Sequence, residues 1–239
     1  MQLYFIRHAQ SENNQKWSDS GSSLGRFADP GLTDLGKRQA EALSAYIANC
    51  QLVTPASTYD DINACGIGLT HIYTSLMARA VLTANIVAEK IDLPLAGLED
   101  AHEGGGIYLE NEETGELNGQ PGKTPEELMT LSGRLILPEL NPNGWWNRPF
   151  EVREERVARA RRLLTTLLEQ HGGTGDRIAL FSHAAFFNYF LAAVFELNQR
   201  PPIWVYLNNT GISRIDFNGE ENALIYSNRT EHLTPNLLS

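Results

Sequence analysis

The chain contains little cysteine and no long apolar segment. Its two cysteines, Cys50 and Cys65, lack the spacing of a metal-binding or redox pair, so we expect two free thiols in a reducing compartment. No apolar run reaches membrane-spanning length, and the first residues, MQLYFIRH, turn polar too early for a signal peptide. These absences predict a cytoplasmic protein that does not act at a membrane.

Basic residues are also scarce. The 239 residues include 19 Lys and Arg against 29 Asp and Glu, which gives a formal net charge of −10. Nucleic-acid binders need a basic face that neutralises phosphates, so this balance argues against a nucleic-acid partner. A small anionic substrate remains compatible, because a few cations in a cleft dominate the local potential. Hydrophobic residues make up 42% of the chain, as expected for a globular protein.

Strand-like and helix-like patterns alternate along the chain. Strands are predicted at residues 2–6, 69–74, 93–98, 177–182, 203–206, 211–217 and 223–226, and helices at 33–49, 77–91, 151–171 and 184–197. Residues 7–32 are predicted to form a long loop, and residues 51–68 a surface excursion. This alternation predicts an α/β three-layer sandwich, in which helices cover both faces of a mostly parallel central sheet.

Residues 1–239 are expected to form a single domain with one insertion. At residues 104–149 the composition shifts to glycine, proline and acidic residues, with a helix start only at Thr124-Pro125-Glu126-Glu127. We predict that this segment is a lid over the active site. Trp145 and Trp146 within it either stack on a leaving group or pack the insertion onto the sheet.

Polar side chains follow three of the predicted strands. Arg7 and His8 follow the first, Ser75 and Arg79 follow the second, and His183 follows the strand at 177–182. Ligands of parallel sheets bind at the carboxyl ends of the strands, so we expect these side chains to converge. Guanidinium groups match the oxygens of a phosphate, and helix N-termini favour an anion. The sequence therefore predicts a pocket for a tetrahedral oxyanion.

Four segments resemble motifs of the histidine phosphatase superfamily, also called phosphoglycerate mutase-like proteins. In chain order they are LYFIRHAQSENN (3–14), LTDLGKRQA (32–40), YTSLMARAVLTA (73–84) and FSHA (181–184). The chain departs from the family pattern at Ala9 and Ala184, where glycine is usual. The matches follow the family order and span most of the chain outside residues 104–149.

This resemblance implies a chemical role for each matched residue. His8 is expected to attack phosphorus and become a phosphohistidine, while Arg7, Arg79 and His183 hold the phosphoryl oxygens. Ser11 and Asn14 are expected to line the substrate pocket. The family chemistry implies no metal and no other cofactor, because cationic side chains neutralise the transferred group.

The proton donor has two candidates in the segment LEDAHEGGG (98–106). Counting from the paired glycines aligns Asp100 with the family acid, whereas adjacency to the glycine turn selects Glu103. We choose Glu103, because glycines let the backbone approach the pocket closely and because glutamate has the longer reach. Its ordinary pKa is also slightly higher, about 4.3 against about 3.9.

The function predicted from these residues is a metal-independent phosphatase that hydrolyses small phosphomonoesters. A phosphoglycerate mutase is the alternative within the same family. It is disfavoured because the insertion offers only Lys123, Arg134 and Arg148 to bind a second anionic group. The expected partner is a small phosphorylated substrate, and the sequence leaves open whether the chain is a monomer or a homodimer.

Two further alternatives come from other classes. One is a metal-dependent hydrolase with His8, His102 and His183 as ligands, but metal-binding spacings are missing and Arg7 beside a ligand is electrostatically unfavourable. The other is a non-catalytic protein that binds a phosphorylated ligand. The remaining histidines are interpreted as structural: His71, His171 and His232.

Overall fold

The computed structural model describes residues 1–51, 66–219 and 221–239. The strands within these ranges are β1 (Gln2–Arg7), β2 (His71–Ser75), β3 (Leu95–Leu98), β4 (Tyr108–Glu110), β5 (Leu117–Gly119), β6 (Leu135–Ile136), β7 (Arg177–Ser182), β8 (Ile212–Phe217) and β9 (Asn222–Arg229). The helices are α1 (Glu12–Ser20), α2 (Asp34–Asn49), α3 (Ala78–Ile91), α4 (Pro125–Leu131), α5 (Arg153–His171) and α6 (Ala184–Val194).

The described part of the central sheet has seven strands in the order β6-β3-β2-β7-β1-β8-β9. The strands from β6 to β1 are parallel, whereas β8 and β9 pair antiparallel at the other edge. Arg7 at the end of β1 lies opposite Ser182 at the end of β7, and Phe181 lies opposite Thr74 of β2. The carboxyl ends of these three strands are therefore level, so the residues that follow them meet at one edge of the sheet.

Helices cover both faces of this sheet. Successive side chains of a strand point to opposite faces, so β1 contributes to two cores. Leu3 and Phe5 pack with α5 and α6, and the rings of Phe5 and Phe187 lie 4.7 Å apart. Tyr4 and Ile6 pack on the other side with the apolar residues of α2 and α3. This arrangement confirms the predicted α/β three-layer sandwich with a mostly parallel sheet.

Residues 12–20 form helix α1, so the prediction of an uninterrupted loop over residues 7–32 is wrong. A capping box starts the helix: the backbone N–H of Asn14 donates to Ser11 Oγ (3.3 Å), and the backbone N–H of Ser11 donates to Asn14 Oδ1 (3.1 Å). Gly21 ends it at a φ of 65°, which glycine adopts without strain. No residue of α1 is buried, so the apolar periodicity that reveals a helix is missing from its sequence.

Residues 203–206 are not a strand, which corrects a second prediction. The backbone N–H of Val205 donates to Asn188 Oδ1 (2.8 Å), and the Val205 carbonyl accepts from Asn188 Nδ2 (3.0 Å). A side-chain amide of α6 therefore takes the place of a neighbouring strand. Ile203 and Tyr206 are 75% and 79% exposed, so their β-favouring side chains cover no core.

The segment at 104–149 contributes elements of its own. It holds the hairpin β4–β5, helix α4 and strand β6, which extends the central sheet beyond β3. The predicted capping box of Thr124 and Glu127 starts α4. Trp145 and Trp146 are buried in the core, and Trp146 packs edge-on against His102 at 4.6 Å. The structure thus shows the packing role for these tryptophans.

Several sequence predictions concern absences or undescribed residues. Cys50 is a free thiol in the described ranges, whereas Cys65 and most of the predicted excursion at 51–68 lie outside them. None of the described helices combines the length and apolar character that a bilayer crossing requires.

Candidate active site

A cavity of about 200 Å³ opens at the carboxyl ends of β1, β2 and β7. Its lining includes most of the residues predicted for the site: Arg7, His8, Ser11, Asn14, Arg79 and Glu103. His183 is the N-cap residue of α6, and its ring centroid lies 5.0 Å from that of His8. The level strand ends therefore bring the predicted residues together.

His8 is held as a neutral imidazole with a defined tautomer. Its Nδ1 lies 2.7 Å from the carbonyl oxygen of Ala9, which can only accept, so Nδ1 carries the proton. Nε2 then keeps its lone pair and accepts a hydrogen bond from Arg79 Nε at 3.1 Å. Burial, followed by the charges of Arg79 and Arg7, lowers the pKa of His8 well below its usual value. The ring is therefore in its nucleophilic form.

Two buried guanidinium groups flank His8. Burial lowers the pKa of Arg7 to about 10, with Glu103 opposing the shift and Arg79 adding to it. Burial likewise lowers the pKa of Arg79, against the opposing charges of Asp29 and Glu103. In the described part of the chain, neither guanidinium forms an ion pair within 4 Å. Two desolvated cations without a paired carboxylate make this cavity a site for an anion.

His183 adds an unsatisfied polar atom beside the cavity. Its Nε2 is 2.9 Å from Ser75 Oγ, whereas Nδ1 is buried and has no protein partner. Burial, then the charges of Arg79 and His8, lowers the pKa of His183 well below its usual value. A buried polar atom without a partner is costly, so an oxyanion that reached Nδ1 would find a group ready to bond it.

Glu103 lies in the cavity, whereas Asp100 does not. The Glu103 carboxylate accepts hydrogen bonds from the backbone N–H groups of Gly104 (2.8 Å), Phe186 (2.8 Å) and Ala185 (3.2 Å) at the start of α6. Asp100 instead forms a salt bridge with Arg162 of α5 at 3.0 Å. Of the two candidate acids, the structure brings only Glu103 beside His8.

The sequence profile of the Histidine phosphatase superfamily (branch 1) matches residues 3–58 and 63–230. The chain belongs to the histidine phosphatase superfamily. Among curated proteins, none matches it significantly. Membership agrees with the geometry of the cavity, because the matched motifs supply His8, Arg79 and His183.

Solved structures share the fold. Two of them are structures of the Entamoeba histolytica phosphoserine phosphatase. The mutant in complex with phosphoserine is 21% identical to this chain, and the complex with 3-phosphoglyceric acid is 23% identical. Each alignment covers 98% of this chain and 99% of the other, with a TM-score of 0.59. A mycobacterial glucosyl-3-phosphoglycerate phosphatase in complex with VO3 is 18% identical over 90% of each chain, with a TM-score of 0.55. The likeness to these histidine phosphatases concerns the fold.

Several residues at this site were not predicted from the sequence, among them Asn209 and Arg26. Asn209 Nδ2 donates to the His8 carbonyl (2.9 Å) and to Asn14 Oδ1 (3.3 Å), and so joins the first motif to the segment before β8. Arg26 lines the cavity, and its guanidinium lies 4.0 Å from the Tyr108 ring centroid. The signal for Arg26 was its place in the polar stretch after the first motif. For Asn209 it was the polar NNT run that precedes β8.

The segment at 104–149 contributes none of the described residues that line the cavity. It contacts two residues that line the cavity. Tyr108 accepts a hydrogen bond from Arg26 Nη1, and Glu110 accepts one from Ser23 Oγ at 3.0 Å. Arg26 and Ser23 both face the cavity. The role of the segment as a lid stays a prediction.

A buried ion pair supports the loop that carries Glu103. Arg159 of α5 is 2% exposed and bonds both carboxylate oxygens of Glu151. Its Nη1 also donates to the carbonyls of Asp100 (2.7 Å) and His102 (2.9 Å), while Glu151 Oε2 accepts from the N–H of Gly105 (3.2 Å). The pair therefore ties both sides of residue 103 to α5.

We expect Glu151→Ala to lower the free energy of unfolding by about 3–5 kcal/mol, because it leaves the Arg159 charge buried and unpaired. Urea denaturation measures this loss. Arg162→Ala on the same helix is the matched control, since the pair of Arg162 with Asp100 is solvent-accessible and is worth about 1 kcal/mol or less. A loss of similar size in both variants would contradict the supporting role of the buried pair.

Proposed function

We propose that this protein is a metal-independent phosphatase that hydrolyses small phosphomonoesters through a phosphohistidine at His8. One observation carries the proposal: His8 Nε2 accepts from the buried guanidinium of Arg79 in a cavity that Arg7 also lines, and neither guanidinium has a paired carboxylate among the described residues. Phosphoryl transfer depends on positioning and charge neutralisation, and this cavity provides both. Membership in the histidine phosphatase superfamily and the phosphatases among the structural neighbours support it.

In the first step His8 Nε2 attacks phosphorus, and the bond from phosphorus to the leaving oxygen breaks. Arg79, which bonds Nε2 in the free protein, turns to the phosphoryl oxygens together with Arg7 and His183 Nδ1. Glu103 donates a proton to the leaving oxygen. In the second step water attacks the phosphohistidine, Glu103 takes up the proton of that water, and inorganic phosphate leaves with His8 restored.

Phosphoryl transfer to a second substrate, as in a mutase, has less support. The insertion bases Lys123, Arg134 and Arg148 do not line the cavity. Beyond Arg7 and Arg79, the cationic residues of the described lining are Lys16 and Arg26. These two can attract an acidic substituent of a small substrate, as on the phosphoserine and 3-phosphoglyceric acid bound by the Entamoeba phosphatase.

The test is a turnover screen across small phosphorylated metabolites after exhaustive chelation with EDTA. We expect stoichiometric release of inorganic phosphate and no bisphosphorylated product. Activity that disappears with EDTA and returns with a divalent cation would contradict the metal-independent mechanism. Phosphate that is transferred to a second substrate would instead establish the mutase, and binding without any turnover would establish a phosphorylated-ligand binder.

Vanadate is expected to inhibit competitively, with an inhibition constant at least about 100-fold below that of phosphate. Five-coordinate vanadate resembles the transition state, in which charge spreads over the oxygens that Arg7, Arg79 and His183 would hold. Steady-state kinetics measures both constants. Sulfate is the control, because it remains tetrahedral and should bind no better than phosphate. Equal constants for vanadate and sulfate would count against this pocket.

A further inference from the structure

A cluster of metal-ligating side chains lies at the amino ends of the parallel strands, whereas the His8 cavity lies at their carboxyl ends. His71 begins β2, Asp176 directly precedes β7, and His171 ends α5. One ligand atom from each of the three lies within 4.8 Å of the others. β7 is six residues long, so about 20 Å separates the cluster at the amino ends of the strands from the cavity at their carboxyl ends. The phosphatase proposal uses none of these residues.

The hydrogen bonds around His71 leave one ring nitrogen free to bind a metal. Thr70 Oγ1 donates its proton to the carbonyl of Arg177 at 3.2 Å. The same oxygen is 2.9 Å from His71 Nδ1 and can accept from it. With the proton on Nδ1, His71 Nε2 keeps its lone pair.

The hydrogen bonds around His171 can likewise leave its Nδ1 free to bind a metal. The Tyr73 hydroxyl is 3.0 Å from Gln170 Oε1 and 2.8 Å from His171 Nε2, so it can accept from Nε2 while it donates to Gln170. His171 Nδ1 then faces Asp176 Oδ2 at 2.8 Å. In that tautomer the Nδ1 lone pair and the Asp176 carboxylate face each other and can share a cation, either a proton or a metal ion.

We propose that His71, His171 and Asp176 bind a divalent transition metal of the Zn²⁺ type. Two imidazole nitrogens and one carboxylate oxygen suit such an ion, and water completes its coordination. The hydrogen bonds from the histidines to Thr70 and Tyr73 orient the rings, as outer partners do in metal sites. Ligand atoms around tetrahedral zinc lie about 3.3 Å apart, whereas those of the cluster lie within 4.8 Å of one another. Binding therefore needs side-chain movements of roughly 1 to 1.5 Å, which Asp176 at 28% exposure has room to make.

The bound metal stabilises the fold and takes no part in phosphoryl transfer. It joins the start of β2 to the connection between α5 and β7, which lies about 100 residues further along the chain. An ion that binds only the folded state raises stability in proportion to the logarithm of its concentration. Its affinity falls in acid, because protons compete for the histidine nitrogens.

Thermal denaturation of the full chain with added Zn²⁺ tests the site. At a free concentration about 100 times Kd, we expect Tm to rise by roughly 5–10 °C at pH 7.5. Co²⁺ should give visible absorption bands on binding, and Zn²⁺ should displace it. His71→Gln should abolish both the Tm rise and the bands, whereas His232→Gln, at a histidine outside the cluster, should keep them.

His8→Ala separates this site from the phosphatase cavity. The rise in Tm should persist in His8→Ala, because that variant keeps all three ligands. A rise that disappears in His8→Ala, or one that persists in His71→Gln, would overturn the proposal and place the metal elsewhere. No rise in the unaltered protein would show that only a proton lies between His171 and Asp176. None of these Tm measurements depends on whether the protein hydrolyses phosphomonoesters.

Discussion

His8→Ala is expected to lower kcat by at least about 10⁴-fold and to remove the acid-labile phosphoenzyme proposed for the unaltered protein. The reason is that Nε2 of His8 is the unprotonated nitrogen among the cations of the cavity, and alanine supplies no replacement nucleophile. Rapid quenching in alkaline detergent with a radiolabelled substrate, followed by denaturing electrophoresis at neutral or alkaline pH, measures the covalent intermediate, and brief acid treatment of a parallel sample should release the label. Steady-state phosphate release measures kcat.

The variant must remain folded for this result to be informative. His8 is buried, but its removal leaves the cations Arg7 and Arg79 in place, so vanadate or phosphate should still bind. Binding by calorimetry and an unchanged far-ultraviolet circular dichroism spectrum are the controls. Turnover within about tenfold of the unaltered protein, in a folded His8→Ala variant, would refute the covalent mechanism.

Glu103→Gln lowers kcat for alkyl phosphates by about 10²- to 10⁴-fold, which is the usual contribution of a general acid. Aryl phosphates lose much less in phosphoenzyme formation, because their leaving groups need little protonation. The amide retains a carbonyl oxygen that can accept from the N–H groups of Gly104 and Phe186, so the loop keeps part of its support. Single-turnover rates for both substrate types measure the difference.

Asp100→Asn is the matched control for Glu103→Gln. Asp100 pairs with Arg162 away from the cavity, so its amide should leave both single-turnover rates within about twofold. Dependence on the leaving group in Asp100→Asn alone would transfer the acid role to Asp100. If the rate loss depends on the leaving group in neither variant, the leaving oxygen obtains its proton from another group.

Local patterns in the sequence were sufficient for most of the fold. Apolar periodicity predicted β1, β7, α3 and α5 to within a few residues, and Thr33 and Thr124 start their helices as hydroxyl side chains do. The alternation of strands with helices also determined that the sheet is mostly parallel. The strand ends then predicted where Arg7, His8, Arg79 and His183 meet, because parallel strands end at the same edge.

Tertiary contacts decided the features that have no local pattern. Asn188 prevents residues 203–206 from forming a strand, although their side chains favour one. The choice between Glu103 and Asp100 depends on Arg162, which lies about 60 residues further along the chain. The tautomer of His8 and the clamp of Arg159 on Glu151 likewise follow from hydrogen bonds that only the packed chain can make.

The distance along the chain between interacting residues explains which features the sequence predicted and which it did not. The side chains that share one face of a helix or strand lie two to four positions apart, so this pattern can be read directly from the chain. His71 and His171 are 100 positions apart, and as isolated sequence features they were interpreted as structural. Only the folding of α5 against β2 and β7 brings them together with Asp176. The sequence by itself determined the scaffold and the phosphate-binding motifs, whereas the tertiary structure decided which titratable groups share one environment.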